Sequence, residues 1–173
     1  MNTNDLTQLV SLHEEATKAY REGVRDPARI LPPVGMTMLD EVGLSPVFVF
    51  DCVDDLSRYG EPSQDVFVEL AAVRILYFRE VMNCKPAVAQ IPESALPRKA
   101  DQYKGIAWLP RIIRKAQCFL EGSLSADIMY GCAGDRAFLK EYEATLPDFL
   151  IMVRDTGGDA DKALEFLAAA KTR

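Results

Sequence analysis

Histidine is nearly missing from this chain, whose 173 residues include one, His13. A multi-histidine metal site is thereby excluded, and any Ser-His-Asp or Cys-His arrangement would have to use that one residue. His13 lies among Glu14, Glu15, Lys18 and Arg21, which predicts a solvated helix face rather than a catalytic base. Cysteine is sparse as well. Cys52, Cys84, Cys118 and Cys132 stand 32, 34 and 14 residues apart with no CxxC pair, which argues against a zinc site. A chain of this length needs no disulfide framework, so free and mostly buried thiols are expected. No run approaches the roughly 18 apolar residues of a membrane span, and Met1-Asn2-Thr3-Asn4-Asp5 lacks the basic and apolar regions of a signal peptide. The expectation is a cytoplasmic protein with no membrane partner. A basic excess is lacking too: 20 Lys and Arg face 26 Asp and Glu, a net of −6, which speaks against nucleic acid as a partner. Without a nucleotide or metal fingerprint, no cofactor is expected.

Strand-like alternation is nearly absent, whereas helical periodicity recurs from end to end. The predicted fold is all-α: a single compact domain over residues 1–173, with about six to seven helices and a long proline-punctuated crossing segment. A first helix follows an Asn4 cap and runs to about Glu22. The stretch from 27 to 46, with Pro27, Pro32, Pro33 and Pro46, reads as a linker holding at most one turn around Thr37 to Val42. Ser45-Pro46 starts a second helix to about Tyr59, although Val47 to Phe50 also fits a short buried strand. Ser63 caps a third, almost wholly apolar helix to about Asn83. Residues 84 to 105 read as extended. Further helices are predicted over about Ile106 to Glu121, Asp135 to Glu143, Pro147 to Gly157-Gly158, and Asp159 to Lys171.

Three features stand out as carriers of function. Arg74 falls about 140° from Glu69 on the wheel of the third helix, in the middle of its apolar face. Such an arginine either pairs with a carboxylate or helix-end carbonyls inside the fold, or faces a pocket and binds an anionic ligand. Residues 98 to 115 gather Arg98, Lys99, Lys104, Arg111, Arg114 and Lys115 against Asp101 alone, a local balance of +5. On the fourth helix Arg111, Arg114 and Lys115 form a basic arc opposite Trp108, Leu109, Ile112 and Ile113. This arc is either a plain solvated face or a docking site for an anionic small molecule or acidic partner. The third feature is Tyr130-Gly131-Cys132-Ala133-Gly134-Asp135-Arg136, a Gly-flanked loop entering a helix. A helix N-terminus there offers N–H groups to an anion and activates a nearby thiol, which makes Cys132 the best candidate nucleophile. Asp135 is more simply the helix cap.

The run Leu109-Pro110-Arg111-Ile112-Ile113-Arg114-Lys115-Ala116, the spacer Gly122-Ser123-Leu124, and Tyr130-Gly131-Cys132 with Asp135 resemble a bacterial family, the domain of unknown function numbered 5069. Members tend to show an L-P-R-x-I-D-K-A helix, a G-T-L turn and a Y-x-C-P-L-D stretch before a helix. The resemblance covers about residues 96 to 170 and implies a fold unit rather than an activity. Two departures stand out: Arg114 replaces the family's aspartate, and Ala133-Gly134 replaces its Pro-Leu. Residues 1 to 95 match no pattern.

Two functions follow as expectations. The first is a non-enzymatic helical protein that binds an anionic small molecule or acidic partner through Arg74, Trp108, Arg111, Arg114, Lys115 and Arg136. The second is a small cofactor-independent enzyme acting on an anionic organic acid, with an arginine anchoring substrate and Cys132, Tyr130 or Asp135 doing acid–base or nucleophilic chemistry. The apolar circumference of the third helix makes a homodimer plausible. The charge imbalance belongs wholly to the first half: residues 1 to 90 hold 8 basic and 14 acidic residues, residues 91 to 173 hold 12 of each.

Overall fold

A computed structural model describes residues 3–172, with side chains from residue 5 onward. Among the described residues there are eight α-helices and one two-stranded sheet, so the fold is all-α. No described helix is long and apolar enough to cross a membrane. The chain divides into two compact units, Met1–Pro86 and Ala87–Arg173, and the division falls inside the proline-punctuated segment.

The first unit holds α1 (Thr3–Arg21), α2 (Pro33–Val42), α3 (Pro46–Tyr59) and α4 (Gln64–Glu80), with a 3-10 turn at Pro27–Arg29. Helix α1 packs against α3 and α4, and α2 reaches α4. The serine caps form as expected. Ser45 Oγ accepts from the Val47 N–H at 3.2 Å, and Ser63 Oγ accepts from the Val66 N–H at 3.3 Å. Val47 to Phe50 is helix, not strand. Helix α1 begins at Thr3, so Asn4 lies inside its first turn, and the Asn4 side chain falls outside the described ones.

The proline-rich linker departs from expectation. In place of one turn it contains the ten residues of α2. Pro33 occupies the first helical position, where its missing N–H costs nothing, and Gly43 closes the helix at φ 71°. A Cβ on Gly43 would lie 2.5 Å from Cγ of Phe78, so this end of α2 rests directly on that ring of α4. His13 is the other correction in this unit. It was expected on a solvated face but is 2% exposed, with its ring centroid 4.9 Å from that of Phe67. Leu9, Leu12, His13, Ala16 and Tyr20 recur at helical spacing, and together they make the buried stripe of α1.

On α3, Asp54 accepts from Tyr20 Oη at 2.6 Å and pairs with Arg58 at 3.0 Å. Burial, and then the charges of Asp55 and Asp54, push the neighbouring Asp51 carboxyl up from 3.8 to about 7. The folded protein therefore holds a proton that the unfolded chain releases near its ordinary carboxylate value. Stability from this group is present at acid pH and is lost as pH rises towards about 7. Chemical denaturation should find the wild type less stable at about pH 8 than at about pH 5, and Asp51→Asn should flatten that slope. A slope unchanged by the substitution would assign the loss to other groups.

The second unit holds α5 (Leu109–Glu121), α6 (Ala133–Lys140), α7 (Leu146–Thr156) and α8 (Ala160–Ala170). They follow a 3-10 turn at Glu93–Ala95 and a hairpin of β1 (Gln102–Tyr103) and β2 (Ile106–Ala107), antiparallel with Tyr103 opposite Ile106. Helix α5 packs on α7 and α8, and α7 also meets α6. Buried Leu109, Ile112, Leu139, Phe149, Leu150 and Leu167 make the core. Two helix starts differ from the predicted ones. Helix α5 begins at Leu109, not Ile106, because a helix from 106 would carry Pro110 past the first turn, where a donor is needed. Helix α6 begins at Ala133 with Cys132 at the N-cap position, two residues before the expected start at Asp135.

Candidate functional site

The residues that carry the family resemblance meet in the second unit. Asp135, 0% exposed, lies in the first turn of α6 and faces α5. Its Oδ1 accepts from Trp108 Nε1 at 3.0 Å, and its Oδ2 accepts from the Gly131 N–H at 2.9 Å and from Lys115 Nζ in a short, buried ion pair. Lys115 Nζ also lies 3.2 Å from Cys132 Sγ. Asp135 is thus not the N-cap. It reaches back from inside the first turn to the N–H of Gly131, the residue before the N-cap Cys132.

This arrangement corrects the predicted basic face of the fourth helix. Lys115 is 2% exposed and Arg111 7% exposed. Arg111 donates to the Pro97 carbonyl at 2.8 Å and to Glu93 Oε1 at 2.7 Å, tying the segment before the hairpin to α5. Arg114 is half-buried; it donates to Gln117 Oε1 at 3.3 Å and lies 3.9 Å from Glu121. Lys104 pairs with Asp161 at 2.6 Å. The local +5 is therefore largely answered by carboxylates drawn from elsewhere in the unit. Lys115 follows Ile112 and precedes Phe119 at helical spacing, and that position on the buried stripe was the signal that outweighs its charge.

The loop before α6 is equally engaged. Tyr130 is fully buried, stacks on Phe119 with ring centroids 5.5 Å apart, and donates its hydroxyl to the Leu146 carbonyl at 2.9 Å. Burial and the Asp135 charge hold its phenol well above the ordinary range, so it remains a donor at neutral pH. Arg136 Nη1 donates to the Gly131 carbonyl at 2.6 Å. Trp108 adopts φ 69° at the N-cap of α5, which turns its indole towards α6. A Cβ on Gly134 would stand 2.5 Å from Trp108 Cζ2, so glycine at this position makes room for the ring. Gly134→Ala should cost about 1–3 kcal/mol and shift the fluorescence of Trp108, the one tryptophan. Unaltered emission and stability would show that the ring yields without cost.

In the first unit the geometry around Arg74 is different. The residue is 4% exposed, on the buried face of α4 with Leu70, Ala71 and Phe78. Its guanidinium carbon lies 5.2 Å from the Phe78 ring centroid, one turn further along the helix. Among the described residues, Arg74 Nη1 has no hydrogen-bond partner. Burial lowers the guanidinium from its ordinary value to about 10, and the favourable charge nearby comes from Tyr77, not from a carboxylate. His13 Nε2 is likewise buried without a partner, while its Nδ1 faces Gln64 Nε2 at 3.3 Å. Gln64 lies at the start of α4, and the Arg74 guanidinium leans towards the other end, over Phe78. The two unpartnered groups are therefore separate features.

Of the predicted ligand-binding residues, Trp108, Arg111, Lys115 and Arg136 spend hydrogen bonds on their own unit, and Arg74 keeps a donor unused. Among the described residues no three His, Cys, Asp or Glu side chains gather to hold a metal ion. Comparison of the chain with protein-family models, with curated proteins and with solved structures finds no match.

Proposed function

We propose that this protein binds a small anionic molecule at Arg74 and does so without catalysis. The observation that carries this reading is the buried guanidinium whose Nη1 has no partner among the described residues. A buried donor left unsatisfied costs about 1–3 kcal/mol, a penalty that an acceptor on a ligand would remove. Burial of Arg74 favours a small molecule over an acidic protein surface. The basic arc of α5 supports the reading less, because Arg111 and Lys115 are committed to Glu93 and Asp135. The test is thermal denaturation with added acetate or phosphate. The wild type should be stabilised by at least one of them and Arg74→Met by neither, with Arg114→Glu behaving as wild type. Loss of the response in Arg114→Glu and its survival in Arg74→Met would move the site to α5.

The alternative is the enzyme with Cys132, Tyr130 and Asp135 as its chemistry. One observation favours it, the 3.2 Å approach of Lys115 Nζ to the half-buried Cys132 thiol. The full use of Asp135 and Tyr130 in holding α5, α6 and α7 together favours a structural role. We also propose kinship of residues 96 to 170 with family 5069. The motif residues Lys115, Tyr130, Cys132 and Asp135 would then be a fold signature, and the departure at Arg114 falls outside their cluster.

A further inference from the structure

Resting on Arg74 as the anion site, we infer that its ligand is a monocarboxylic acid with an apolar body, and not a phosphate ester. Charge balance is the first reason. One guanidinium is present; His13 is held neutral by burial, and the nearest other arginine on α4, Arg79, is paired with Asp5 at 3.3 Å. A carboxylate carries the single charge that Arg74 matches, whereas a phosphate monoester carries about −1.5 to −2 and would bury an unanswered negative charge. The unit around Arg74 holds 8 basic and 14 acidic residues, a net of −6 that repels a dianion more than a monoanion.

Shape and polarity point the same way. The guanidinium is a planar fork that meets a carboxylate with two parallel hydrogen bonds. Three of its neighbours on α4 are apolar and buried: Leu70 and Ala71 one turn before, Phe78 one turn after, with Gly43 seated on the Phe78 ring. Beyond Tyr77, whose phenol acts on the guanidinium, α4 supplies no polar side chain here for the further oxygens of a phosphate or a sugar, and its apolar residues suit an aliphatic or aromatic body.

Isothermal titration with octanoate, octanol and inorganic phosphate tests this on the full chain. Octanoate should bind the wild type and weaken about tenfold or more in Arg74→Met, with Arg74→Lys between the two because it keeps the charge and loses the fork. Octanol and phosphate should bind more weakly than octanoate by a similar factor. Phosphate binding that depends on Arg74 and equals or exceeds that of octanoate overturns the carboxylate inference and leaves the anion site standing. If neither anion shows binding that depends on Arg74, both readings fall.

Discussion

Asp135→Ala lowers the stability of the Ala87–Arg173 unit by about 3–5 kcal/mol, as large a loss as truncating a buried core aromatic. Removing the carboxylate leaves the Lys115 ammonium buried beside the Cys132 sulfur without its counter-ion, and strips the acceptor from the Trp108 indole N–H and the Gly131 amide. Lys115→Met should cost less, because the carboxylate it leaves behind keeps two N–H donors. The double variant should be less damaged than the sum of the singles, since no ion then stays buried alone. Denaturant unfolding of the four proteins measures this. Additive losses would mean that the pair is not coupled, and a loss below about 1 kcal/mol for Asp135→Ala would mean that water reaches the cluster.

Arg74→Met moves stability the opposite way, raising it by about 1–3 kcal/mol in ligand-free protein. The methionine stem replaces the apolar part of arginine beside Phe78 and removes a charge whose Nη1 has no partner. A gain of this size is a large fraction of an ordinary domain's total of about 5–15 kcal/mol. A protein that keeps such a residue gives up stability for what the residue does. Gly43 belongs to the same arrangement. Its φ of 71° favours glycine, and a Cβ there would stand 2.5 Å from the Phe78 ring against which Arg74 lies, so the ring keeps its place only while residue 43 has no side chain.

The helical class and most helix starts were legible because they rest on local chemistry: Ser45, Ser63 and Asp159 cap their helices, and Gly122 and Gly157 end theirs in left-handed backbone. Helix α2 was hidden because consecutive prolines read as a breaker, although the second of them is also a good first residue of a helix. The anomaly of Arg74 was legible from the wheel alone, since a cation on an apolar face needs no tertiary information to be noticed. Which basic residues would be consumed was not. Arg111 finds Glu93 across 18 residues and Lys115 finds Asp135 across 20, pairings that only the packing of the second unit decides. His13 was misplaced for a related reason: charged neighbours in sequence are not neighbours in space when the stripe of Leu9, Leu12 and Ala16 turns inward.

The central claim is that Arg74 holds a donor for an anion while the other candidate arginines are bound within the fold. Side-chain ¹⁵N NMR of the arginine Nε–H groups during octanoate addition tests it most directly, with the Arg74 resonance assigned by its loss in Arg74→Met. The account predicts that this resonance moves to saturation while those of Arg111, Arg114 and Arg136 stay in place. A stationary Arg74 signal, with movement at Arg111 or Arg114 instead, would contradict it.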